Sequence, residues 1–238
     1  MTDTRAALLD AALGLFAEQG VELPSLREIT RAADQRNTNA LQYHFNDRQG
    51  LLRDLLNRQG DTVDEHRNTL LDEIAVGGVD ALRPLAAALV LPLASLLRVG
   101  RGTEYLQLTA ELVARPTHFR AVVDLVTRRH SLLRWSQIVE PFLPPQAVGR
   151  PLHRRFTAIR FVHNELGSRA RERQSRADHQ LFANHLIDLV CGLLAAPVSS
   201  ETSALIIRDT TGPPKADGGF QHRPRSPKPS IRSDPESI

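Results

Sequence analysis

The chain is 238 residues long, enough for one large domain or two modest ones, with hydrophobic (41%) and charged (24%) residues in ordinary globular proportion. Its single cysteine, Cys191, excludes an intramolecular disulfide and any multi-cysteine metal site, and reads as a small buried hydrophobe within an apolar stretch. The formal charge of +3 is unevenly spread: residues 1–60 hold seven Arg against eight Asp or Glu, which excludes a dense basic surface at that end and leaves the arrangement of residues to decide on any nucleic-acid partner.

Taken in chain order, residues from Thr4 to Gln19 predict a helix, with Leu8, Ala11, Ala12, Leu15 and Phe16 on one face and Gly20 where a left-handed closing residue is wanted. Ser25-Leu26-Arg27-Glu28 opens a second helix as a capping box, and Leu26, Ile29 and Ala33 give it a short inward face. Asp34-Gln35-Arg36-Asn37 is a polar turn. A third helix, about Thr38 to Phe45, carries Leu41 and Phe45 one turn apart on its inner side. Asn46 or Asp47 then caps a fourth, whose Leu51, Leu52, Leu55 and Leu56 lead into a polar segment reaching about Glu73. Three short helices, the last two at a tight turn, followed by a long connecting helix describe a helix-turn-helix domain joined to something larger.

The rest predicts helices over 79–98, broken near Pro84 and Pro92, then over 103–114, 117–140, 145–174 and 178–196. No segment alternates apolar and polar residues as a half-buried strand would. Six prolines and Gly218-Gly219 fall in 208–238, a composition that cannot bury enough apolar surface to offset the entropy of ordering. The fold class expected is therefore all-α. A helix-turn-helix domain occupies 1–50, a helical body 51–200 and a disordered Pro-rich tail 201–238. Arg5, Asp10 and Glu18 interrupt the first apolar residues, so no secretory signal is read. The run Leu85–Leu97 contains Pro92 and is too short to span a bilayer, so a cytoplasmic place without a membrane partner is expected.

Ser25-Leu26-Arg27-Glu28-Ile29-Thr30-Arg31-Ala32-Ala33 resembles the second helix of the TetR family of transcription regulators. Tyr43-His44-Phe45 followed by Asn46-Asp47-Arg48-Gln49-Gly50-Leu51-Leu52 resembles the end of that family's recognition helix and the start of its connecting helix. The resemblance covers about residues 4–56 and departs from the commonest pattern at Asp34, where a glycine is usual, and in a turn one residue longer. It implies an all-helical homodimer with two DNA-reading heads and a body that dimerises through its last two long helices. It also implies a small-molecule pocket whose occupation releases the operator.

A helix fits the major groove, where each base pair shows its own donors, acceptors and methyl groups, and the N-terminal half of the second helix of the pair meets the base edges. Here that half is Asn37-Thr38-Asn39-Ala40, with Gln42 and Tyr43 next. Asn and Gln pair bidentately with adenine; Thr38 and Ala40 can pack on a thymine methyl; Arg36 can take a guanine or a phosphate. Asn39 and Gln42, polar on the outer side of so short a helix, are the first choice for base readout. Asn37 and Thr38 serve equally as helix caps. Helix N-terminal amides at Ser25 and at Asp47 and Arg48 offer phosphate contacts. The resemblance adds Tyr43, His44 and Arg48 as phosphate anchors, while packing remains open for Tyr43 and His44.

In the body, Tyr105, His118, Trp135, Arg160, His163 and Asn164 are polar groups set among apolar ones. Such groups are what a pocket for an apolar molecule with one polar end needs, and equally what a structural core contains. Tyr105, Trp135, Arg160, His163 and Asn164 are the candidates for an unidentified small-molecule ligand. Leu181, Phe182, His185, Leu186, Leu189 and Leu193, with Phe156, Ile159 and Val162 before them, form a stripe fit either for a four-helix dimer interface or for closing the monomer core. An enzyme with a site assembled from distant residues is the rival class, although no metalloprotease, nucleophile-elbow or phosphate-loop motif occurs and no cofactor is called for. An architectural DNA protein is the other rival; it would carry a dense Lys/Arg surface, whereas lysine occurs only at Lys215 and Lys228.

Overall fold

In the computed structural model, residues 4–35, 40–78, 81–115, 129–172 and 176–211 are described, and all their regular structure is helical. The first helix, α1 (Thr4–Gln19), buries Leu8, Leu9, Ala12, Leu13 and Phe16 and ends on Gly20, whose φ of 88° lets its amide reach the Phe16 carbonyl at 2.9 Å. Two short helices follow, α2 (Leu26–Ala32) and α3 (Ala40–Phe45), and then α4 (Arg48–Gly77), 30 residues and about 45 Å long. Its N-terminal leucines 51, 52, 55 and 56 are buried where α4 packs on α1 and α3, while Val63, Arg67 and Leu71 enter the body.

The helix α5 (Leu82–Ala94) corrects the expectation of breaks at its prolines. Pro84 sits in the first turn, where amides have no intrahelical acceptor to lose. Pro92 lies inside the helix and cannot donate to the carbonyl of Ala88, four residues back. That carbonyl is taken instead by Nε of Arg67, at 3.1 Å. The same guanidinium donates to Ser131 Oγ at 2.9 Å, and Ser131 in turn donates to Asp64. A buried arginine on α4 thus supplies the hydrogen bond that a buried proline on α5 removes.

After a 3-10 turn (Ser95–Arg98) come α6 (Gly102–Ala114), α7 (His130–Val139), a further 3-10 turn (Glu140–Phe142) and the four-residue α8 (Pro145–Val148). The expected helix 117–140 is described only in its second half, and His118 lies outside the described residues. The expected single helix 145–174 is two. Pro151 has no amide to donate and disfavours helical backbone at Arg150, so α9 begins at Arg154 and runs to Arg171. The last helix of the body, α10 (Arg176–Ala195), ends with the Leu194 and Ala196 carbonyls accepting from Arg154.

Packing pairs α6 with α9, α10 with α5, α4 with α5 and α1 with α6, around a continuous core that runs from Leu8 to Leu194. The helices α9 and α6 approach closely at Gly167 of α9, where an added Cβ would stand 2.3 Å from the Ala110 Cβ of α6. Residues 1–199 form one unit, and residues 200–238 a second. The tail expected to be structureless from 201 opens with a helix instead, α11 (Ser200–Thr211), with Leu205 and Ile207 exposed. Among the described residues no single helix is long and apolar enough to cross a membrane.

The apolar stripe predicted on the last two body helices divides. Ile159, Val162 and Leu186 are buried within the chain's own core, whereas Leu181 is 73% exposed and Leu189 and Phe156 are each 42% exposed.

Candidate nucleic-acid interface

The second and third helices form the candidate reading head, and each is set by a local device. Ser25 is the N-cap of α2: its Oγ accepts from the Glu28 amide at 3.2 Å while its own amide donates to Glu28 Oε2 at 2.6 Å. The reciprocal pair satisfies two otherwise unpaired donors. Hydrogen bonding to Ser25, its backbone amide first and then its side chain, holds the Glu28 carboxyl below its ordinary pKa. Ile29 and Thr30 turn inward, leaving Arg27 and Arg31 exposed one turn apart. The chain leaves α2 through Asp34 at φ 52°, left-handed backbone at the position where glycine was expected; aspartate tolerates that region better than most side chains. Arg36, Asn37, Thr38 and Asn39, four of the residues predicted to meet DNA, lie outside the described residues.

The helix α3 divides its side chains cleanly. Ala40, Leu41 and Phe45 are buried against the head core, while Gln42 and Tyr43 are exposed, Tyr43 at 86%. His44 is half-buried; its ring centroid stands 5.1 Å from that of Tyr43, edge to face, and 6.1 Å from that of Phe45. Packing under the connecting helix is thereby excluded for Tyr43. Asn46 at φ 68° closes α3, and Asp47 caps α4 by accepting from the Gly50 amide at 2.7 Å. Only glycine fits at position 50, because a Cβ there would stand 2.0 Å from the Phe45 carbonyl oxygen.

Arg48 is placed differently from the expectation. Its guanidinium donates to the carbonyls of Val21 and Pro24 and lies 5.7 Å from the centre of the Phe16 ring. It braces the loop between α1 and α2 against the start of α4, and its donors are directed into the protein. A second brace went unread in the sequence: Glu111 of α6 accepts from the Val21 amide at 3.2 Å through both carboxylate oxygens, and Arg101 donates to the Asp10 carbonyl. These contacts span about ninety residues of sequence, and no local pattern announces them. Arg27 and Arg31 could have been found, since helical spacing from Ile29 and Ala33 puts both on the outer face.

Neither of the two grooves among the described residues is lined by all five ligand candidates. Trp135 is fully buried with its Nε1 donating to the Leu85 carbonyl at 2.8 Å, so its polar atom is committed to α5. Tyr105 is buried, which pushes its hydroxyl up to about 12. His163 is buried with Nδ1 3.2 Å from Thr109 Oγ1; burial first, and then the Arg67 charge, push it down to about 3 and keep the ring neutral. Arg160 is exposed. Asn164 lines a groove of about 800 Å³ between the C-terminal ends of α1 and α6 and the middle of α9. Arg67, whose burial lowers it to about 10, is among the core polar groups that the sequence reading missed; a lone arginine in a polar segment gives no sign of it.

The structure of AmtR from Mycobacterium smegmatis aligns with 88% of this chain and 95% of its own length, at 21% identity and a TM-score of 0.50. The chain has the TetR fold. Two solved proteins described as TetR-family transcriptional regulators, from a Rhodococcus species and from Mesorhizobium loti, align with 80% and 79% of this chain at 21% and 15% identity. Each has a TM-score of 0.49, and the alignments cover 100% and 94% of their lengths. No protein-family model and no curated protein matches the chain in sequence. The expected helix-turn-helix pair corresponds to α2 and α3, the expected connecting helix to α4 and the expected body to α5 to α10.

Proposed function

We propose that the chain is a sequence-specific DNA-binding transcription regulator, acting in the cytoplasm as a homodimer and released from its operator by a small molecule, rather than an enzyme. The observation that carries the reading is the division of α3. On a six-residue helix fixed from below by Leu41 and Phe45 and from behind by the Asp47 cap, Gln42 and Tyr43 are exposed, and among the described residues their side-chain amide and hydroxyl make no hydrogen bond. A rigidly held helix presenting an amide and a phenol outward suits a major groove, with Gln42 and Asn39 on base edges and Tyr43 and His44 on phosphates. Asn37, Thr38 and Arg36 belong to the same proposed surface. So does α2, where the Ser25 end with Arg27, and Arg31 in the last turn, add backbone contacts. Arg48 acts behind this surface as a positioning residue.

The exposed Leu181, Leu189 and Phe156 are the part of the predicted stripe left for a second copy. A two-fold dimer requires an operator with two-fold related half-sites about one helical turn apart, or a multiple of it. Selection from a random duplex pool with the purified chain tests this. Enrichment of an inverted repeat is expected, and a pool that enriches no motif overturns the regulator reading.

A further inference from the structure

A groove of about 700 Å³ runs between α5 and α10, on the side of α10 away from Leu181 and Leu189. Its floor is apolar, with Ala87 and Leu91 from α5 and Ile187 from α10. Arg83 and Arg98 line its rim, with His66 of α4 and His179 of α10 beside them, and among the described residues no aspartate or glutamate does. The two arginines differ. Arg83 is held by Asp188 and by Asn184 Oδ1, whereas the exposed Arg98, at the end of the 3-10 turn after α5, makes no ion pair among the described residues. We propose that this groove binds a small amphipathic organic anion, its apolar body laid along Ala87, Leu91 and Ile187 and its carboxylate paired with Arg98.

The chemistry follows from what an occupant must satisfy. Apolar surface on the floor is removed from water only by an apolar body, and the volume lies within the range of small-molecule sites. A guanidinium such as that of Arg98, with no carboxylate paired to it among the described residues, favours an anion, and a carboxylate matches its paired donors. The site is separate from the buried Tyr105, Trp135 and His163. Because His66 belongs to α4, an occupant would touch the helix that carries the reading head. That consequence rests on the regulator reading; the binding itself does not.

Calorimetric titration of the full chain with decanoate, 1-decanol and decylamine, without DNA, tests the site. Decanoate is expected to bind at least tenfold more tightly than the alcohol or the amine. Arg98→Gln, on the surface and outside the core, is expected to weaken decanoate about tenfold and leave the alcohol unchanged. Ala87→Trp, which fills the floor, is expected to remove binding of both. Equal affinities for the three ligands, decanoate binding indifferent to Arg98→Gln, or no binding of decanoate would each overturn the proposal. A chain that binds decanoate but selects no DNA motif would contradict the regulator reading alone, so the two failures are distinguishable.

Discussion

The Arg48 guanidinium satisfies two carbonyls of the loop from α1 to α2 and covers the Phe16 ring, so it orients the head from within. Arg48→Ala should lower the free energy of unfolding by about 2 kcal/mol, the worth of two hydrogen bonds to a charged group in a half-buried place. Urea titration checks this, with an unchanged slope and a lower midpoint expected. A variant of wild-type stability with weaker DNA binding would instead restore Arg48 to the phosphate surface. His163 makes a second prediction at this scale. Its folded pKa of about 3 lies below the ordinary 6.5, so between those values the unfolded chain binds the extra proton. Its contribution is complete above about pH 6.5 and declines as pH falls toward 3, by up to ~1.4 kcal/mol per pH unit. Stability measured from pH 7 to 4 should fall more steeply for the native chain than for His163→Gln; parallel curves would refute the neutral buried ring.

Helices meet through small residues and single carboxylates. Gly167 lets α9 approach α6, and Gly167→Val would force a side chain into the Ala110 Cβ, costing about 2 kcal/mol by overpacking. Thermal unfolding reads the loss, and Ala110→Gly in the same chain should recover part of it. Glu111→Gln keeps the shape but weakens the acceptor that joins α6 to Val21 of the head, so faster hydrogen exchange at the Val21 amide is expected, with core amides unchanged. What was legible in the sequence at this scale was local. The Ser25–Glu28 box, Gly20 and the Leu41–Phe45 face are fixed by residues three or four apart, and each stands as read. The prolines misled, because a proline is judged by the fate of the hydrogen bond it removes. At Pro84 there is none to lose, at Pro92 an arginine 25 positions upstream replaces it, and Pro151 lies in the turn between α8 and α9. The ligand site was illegible for a related reason: Trp135 and His163 spend their polar atoms on Leu85 and Thr109, which only the packed body brings near.

Over the whole molecule, the head holds no excess of positive charge, with seven Arg against eight acidic residues in 1–60. Affinity for DNA of arbitrary sequence should therefore be weak, and specificity must come from side-chain placement on α3. The apolar residues left outside, Leu181 and Leu189 on α10, predict self-association. Leu189→Asp should shift the sedimenting species from dimer to monomer without loss of helical signal, since that side chain is not part of the monomer core. A monomeric native chain would remove the two-headed arrangement. The central claim, that α3 reads base sequence, is tested most directly by fluorescence anisotropy on the duplex selected by the native chain, against a scrambled duplex at equal salt, with the native protein beside Gln42→Ala. The account predicts that the native protein prefers its selected duplex and that the variant loses about 1–3 kcal/mol of that preference while binding the scrambled duplex equally. A variant that keeps the full preference would contradict it.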